Sequence, residues 1–174
     1  MKRLILLFII LSTASIASAK RGDNVIVSTN VGTAIDFSQP SSTPFNLQII
    51  GLYKISDRFY AGVGTGVHIY EKGLLPLFAD AKYIITKPKK LTPYVECALG
   101  HSFAPEEKTN GGFYFNPSIG IQYPILKDKK ISFAIGYELQ ELERIKSCEN
   151  ELFKAEFLEK LSHNSISMKI GIIF

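Results

Sequence analysis

Apolar residues recur at every second position through most of the chain, and eight stretches hold this alternation long enough to predict strands. The first covers about Val25 to Phe37, with Val25, Val27, Val31, Ile35 and Phe37 on one face and Ser28, Asn30, Gly32 and Asp36 on the other. The others cover about Pro44 to Ile55, Arg58 to Tyr70, Leu74 to Thr86, Thr92 to Phe103, Gly112 to Tyr123, Lys130 to Gln140 and Ser165 to Phe174. In each, one face is mostly Val, Ile, Leu, Phe, Tyr or Ala, and the opposite face is rich in Gly, Ser and polar or charged side chains.

Alternation alone suits a soluble sandwich as well as a membrane barrel, so other features must choose. The stretches run to about 10–13 residues, the length of tilted membrane strands, whereas soluble strands average about 5–6. A soluble sheet would show many charges on its wet face, but here Gly and Ser dominate the polar face, as in a barrel lumen. The connections also alternate in length. Ser56-Asp57, Lys87 to Leu91 and Leu126 to Lys129 are tight, whereas Ser38 to Thr43, Ala104 to Gly111 and Glu141 to Asn164 are longer, and Glu71 to Gly73 is a short exception. The predicted fold is all-β, an eight-stranded antiparallel up-and-down transmembrane β-barrel, with the short turns periplasmic and the longer loops outside.

The N-terminus reads differently. Lys2 and Arg3 precede an apolar run from Leu4 to Leu11, too short to cross a bilayer as a helix, and Ala17-Ser18-Ala19 offers small residues for cleavage. The expected organisation is a signal peptide over 1–19 and a barrel domain over 20–174, exported to the bacterial outer membrane. The chain carries a formal charge of +4, and loss of Lys2 and Arg3 would leave 4 − 2 = +2. That modest excess forms no basic stripe, so no nucleic-acid partner is expected. Cys97 falls on the lipid-facing side of a strand and Cys148 in a loop, which makes a bridge between them hard.

The polar face collects ionisable residues. Asp36, Asp80, Glu96 and Glu138 would point inward with Lys54, Lys82 and Lys169. An eight-stranded barrel is just wide enough for side chains to fill it, and an isolated buried charge costs several kcal/mol. The expectation is a charge network that plugs the lumen; an ion or proton path is the alternative. His101-Ser102 and His163-Asn164-Ser165 invite comparison with a lipid A deacylase. Adjacent strand residues point to opposite faces, so His101 and Ser102 cannot act together. His163 and Ser165 share a face, but no Glu follows them, and His163 reads as an exposed loop residue. No enzyme is expected. No zinc spacing or phosphate loop is present, so no cofactor or metal is expected.

From Glu141 to Leu161 the pattern changes. Leu142, Ile145, Cys148, Leu152, Leu158 and Leu161 recur at roughly helical spacing among Glu and Lys. An amphipathic helix at the outer interface or a long loop over the barrel mouth is expected. Together with 104–111, this segment (141–164) is the natural place for an extracellular ligand.

These features taken together resemble the small outer-membrane β-barrels of the OmpA-like and OmpX-like porin superfamily, over the whole of 20–174. The segments TPYVECALGHSF, GGFYFNPSIGIQY and FAIGYELQ look like the outer-membrane barrel domains common in Bacteroidetes. In the last strand Ile166, Met168, Ile170, Ile172 and the terminal Phe174 look like the signal read by the barrel-assembly machinery. The resemblance implies outer-membrane lipids and that machinery as partners. It implies a structural or surface-interaction role, with a lipid-modifying enzyme or a narrow small-solute channel as alternatives.

Overall fold

The computed structural model describes residues 24–37, 43–69, 73–87, 90–105, 109–126, 129–150 and 153–174, with the backbone alone for Thr109 and for 144–159. The expected signal peptide, 1–19, lies outside the described residues, as do 106–108 of the loop 104–111. The described chain forms β1 (Val25–Asp36), β2 (Phe45–Lys54), β3 (Phe59–Ile69), β4 (Gly73–Ile84), β5 (Thr92–Phe103), β6 (Thr109–Leu126), β7 (Lys129–Asn150) and β8 (Phe153–Ile173). Each strand pairs antiparallel with the next, and β1 pairs with β8, so the sheet is a closed eight-stranded antiparallel barrel.

The period-two pattern fixes which side of the sheet each residue takes. Ile35, Val63, Leu77, Leu99, Ile119 and Ile170 face out and remain exposed, while Ser28, Gln48, Asp80, Asn116, Ser132 and Ser167 face in and are buried. A soluble protein would place these sets the other way round, because exposed apolar area costs about 25 cal/mol per Å² in water. Twelve residues of strand at about 3.3 Å each, tilted by about 40°, span roughly 30 Å, which matches a bilayer core. No described helix is long and apolar enough to cross a membrane, which leaves the strands unconstrained.

At the rim of short turns, Ser56 Oγ accepts the backbone N–H of Phe59 at 3.1 Å, and Ile55 N–H meets Phe59 O at 3.0 Å. At the other rim the structure corrects the expectation for 141–164. Over its described residues this segment is strand, not helix or loop: β7 and β8 stay paired in unbroken register from Lys130↔Ile173 to Asn150↔Phe153. The register sets Leu142 opposite Leu161 and Ile145 opposite Leu158, and it sets Glu143 opposite Lys160, Arg144 opposite Glu159 and Glu149 opposite Lys154. Matched apolar and opposite-charge cross-strand positions favour a ladder over a helix. β6 is likewise longer than expected, and register shifts at Gly111/Tyr114 and Pro124/Leu126 mark bulges at its two ends.

Candidate functional site

The interior is the place where ionisable side chains converge. It is layered, and its centre is a hydrogen-bond network. Glu138, on β7, accepts from Asn46 Nδ2 at 3.1 and 3.2 Å and from Asn116 Nδ2 at 2.9 Å. Lys169 Nζ donates to Asn116 Oδ1 at 2.7 Å, and Asn116 Nδ2 also donates to Ser167 Oγ at 3.0 Å. Beside it Gln48 Nε2 lies 2.8 Å from His68 Nε2 and donates to Tyr114 OH at 2.9 Å. These groups come from β2, β3, β6, β7 and β8, so the contacts cross the bore.

A second charged group sits toward the short-turn rim. Lys82 Nζ lies 3.3 Å from Glu96 and 3.7 Å from the centroid of the Tyr94 ring. Asp80 is buried nearby, and neither of its oxygens has a hydrogen-bond partner. Packed against these groups is an apolar cluster that the expectation of a charged lumen did not include: Ile50, Leu52, Phe78, Ala98 and Tyr114, the last of which also accepts from Gln48. These residues occupy inward positions by parity, and their apolar character was the signal that the lumen is not wholly polar. Inward glycines make room for the rings. A Cβ on Gly64 would lie 2.5 Å from Phe78 Cζ, and one on Gly120 would lie 2.6 Å from Tyr94 Cζ.

Toward the long-loop rim, Asp36 meets His163 Nδ1 at 2.7 Å, with both side chains almost fully buried. The expectation of an exposed loop His163 is therefore wrong, because the extended β8 carries it into the lumen. Ser165, two residues on, donates toward the Glu138 carbonyl at 3.5 Å, and Ser102 donates to Gln140 Oε1 at 2.7 Å. His101 faces out, where it packs at 5.2 Å on Phe103. Leu74 and Leu142, with Ala104 and Leu161 against them, form an apolar layer at this end.

Of the seven expected network members, Glu138 and Lys169 share the central cluster, Lys82 and Glu96 pair, and Asp36 pairs with His163. Lys54 does not join them. It lies at the short-turn rim and pairs with Asp57 at 2.8 Å, half in solvent. The hydrogen bond and the proximity of Lys54 hold the Asp57 carboxyl below its ordinary range. Ile166, Ile170 and Ile172 face out and Met168 is half-buried among them, while Phe174 closes the seam to β1, its N–H meeting Val27 O at 2.8 Å. Lys129 Nζ sits 5.2 Å from the Phe174 ring centroid. Cys97 is a free thiol on the outer face. Among the described residues no group of His, Cys, Asp and Glu is placed to hold a metal ion.

The fold has solved counterparts. Neisserial surface protein A superposes with a TM-score of 0.57 at 15% identity, covering 86% of this chain and 95% of that one. The solid-state NMR structure of outer membrane protein AlkL in DMPC bilayers gives 0.52 at 12%, covering 90% and 92%. The N-terminal barrel domain of Pseudomonas aeruginosa OprF gives 0.50 at 14%, covering 86% and 97%. The fold is that of the small outer-membrane barrels. At such identities the likeness speaks for architecture alone. No protein-family profile and no curated protein sequence matches the chain.

Proposed function

We propose that this chain is a bacterial outer-membrane barrel with a structural or surface-interaction role and a closed lumen. The short turns would face the periplasm, and the β7–β8 hairpin with the 104–111 segment would face outward to meet an extracellular ligand. The observation that carries this reading is the network on Glu138 with the adjoining Gln48–His68–Tyr114 group, which together reach across the bore from five strands and leave Asn46 Oδ1 and Gln48 Oε1 as buried oxygens without a hydrogen-bond partner. A filled lumen argues against a solute channel. Placement in the membrane is supported by the apolar outer belt, including Phe45, Tyr53, Phe103, Tyr123 and Ile172. The outward row Ile166, Ile170, Ile172 with Phe174 would serve the assembly machinery, and residues 1–19 would direct export.

Planar-bilayer recording is the direct test. The purified barrel should show no steady conductance at voltages where an open porin conducts, and a reproducible unitary current would overturn the plug.

The Asp36–His163 pair favours a second reading, hydrolysis of a lipid ester, since an acid that orients an imidazole is part of a nucleophilic site. Against it, the Ser102 and Ser165 hydroxyls point to Gln140 and to a backbone carbonyl. Lipid A from cells expressing the protein should keep its acyl pattern by mass spectrometry.

A further inference from the structure

The two rims differ in charge. Among the described residues, the short-turn rim holds Lys54, Arg58, Lys87, Lys90, Lys129 and Lys130 against Asp57, which Lys54 already neutralises at 2.8 Å. The opposite end is not basic: across 141–164 the sequence has Glu141, Glu143, Glu149, Glu151, Glu156 and Glu159 against Arg144, Lys146, Lys154 and Lys160. Cations at one end of an apolar belt sit at headgroup depth, where Lys and Arg extend their charge to the interface.

The outer face has a second feature on the same half. A groove of ≈ 570 Å³ opens on the lipid side of β3 to β7. Its floor is Ala81, Cys97 and Pro117, which lie directly opposite one another across β4, β5 and β6. Tyr83, Val95 and Ile119 stand exposed at its edges. The groove ends at the cationic rim: just beyond Tyr83, Ile84 N–H bonds Arg58 O at 2.7 Å, and Ile85 N–H bonds Pro93 O at 3.0 Å. Lys87 follows Tyr83 by four residues, roughly 13 Å of extended chain.

We propose that this half of the barrel seats one anionic phospholipid of the inner leaflet, its headgroup at Arg58, Lys87 and Lys90 and an acyl chain in the groove over Ala81, Cys97 and Pro117. The inference rests on the membrane orientation proposed above. Charge complementarity selects the occupant. A second copy docked side by side would bring two basic rims together, which like-charge repulsion opposes. A soluble acidic peptide would match the rim but not an apolar groove on the lipid face.

The chain has no Trp, so a single introduced Trp reports without background. Tyr83→Trp places the reporter at the groove, and Ile170→Trp places it on the far side of the barrel as a control. Each variant is reconstituted in phosphatidylcholine vesicles containing equal fractions of brominated-acyl phosphatidylglycerol or brominated-acyl phosphatidylcholine. Indole fluorescence from the groove position should be quenched several-fold more effectively by the phosphatidylglycerol, with the preference falling at high salt and vanishing in the Arg58→Gln, Lys87→Gln, Lys90→Gln background. The control should show no preference. Equal quenching by both lipids at the groove overturns the proposal, as does a preference that survives the triple substitution or is equally strong at position 170. Absence of quenching by either lipid at both positions would overturn the membrane reading itself, and the lipid seat with it.

Discussion

Glu138 gathers donors from Asn46 and Asn116, whereas the similarly buried Asp80 gathers none. The two carboxylates should therefore answer substitution in opposite ways. Glu138→Ala strands Asn46 and Asn116 without their acceptor and should cost about 3–5 kcal/mol, the scale for breaking a buried charged network. Asp80→Asn replaces a buried carboxyl group whose oxygens lack a donor and should be neutral or stabilising by about 1 kcal/mol. Urea unfolding from lipid vesicles would measure both. At the rim, Asp57 has its pKa lowered from 3.8 by Lys54, so the pair's contribution is whole above pH 3.8 and is lost as pH falls through the lower folded midpoint. A carboxyl-carbon NMR titration should place that midpoint below 3.8 and return it to the ordinary value in Lys54→Met. Parity along each strand was enough to read which residues turn inward, and it put Asp36, Asp80, Lys82, Glu96, Glu138 and Lys169 on the side where all six are buried. It could not say which of them meet, because that depends on the stagger between strands. His68, Gln48 and Asn116 joined the network for the same reason without being foreseen, and Lys54 left it because its position is one step too close to the turn.

Strands β1 to β5 fell within two residues of their expected bounds at either end, because Gly, Pro, Asn and Lys punctuate them sharply. The extension of β7 and β8 was hidden by Leu and Ile at helical spacing, although the reversed order of charges on its two halves was present in the sequence and marks an antiparallel ladder. Since Leu142 and Leu161 belong to the outermost apolar cluster among the described side chains, the hairpin beyond them should be separable from the barrel. Replacing 145–158 by a two-residue type I′ turn should leave the barrel's stability to unfolding within about 0.5 kcal/mol, the scale of changes away from packed groups. Within the barrel, Gly64 faces the Phe78 ring, so Gly64→Val should overpack the lumen and cost about 1–3 kcal/mol by the same measurement.

At the scale of the whole molecule, an inverted protein emerges: an apolar belt outside, and an interior of polar groups packed around the cluster of Phe78 and Tyr114. Because several strands contribute to each layer, no single contact opens the bore, and Glu138→Ala should still fail to conduct in planar bilayers even though it is less stable. The seam between β1 and β8 has a kinetic meaning. It pairs residues at least 165 − 36 = 129 positions apart, from Asp36 with Ser165 to Ser28 with Ile173. No shorter piece of chain can make that ladder, so the largest loop-closure entropy is met only when the final strand arrives. A chain still missing β8 would carry two raw strand edges and an apolar belt with nothing to close it. Folding should thus be slow and gated by its last residues, and once the ring is shut, leaving it means parting the first strand from the last.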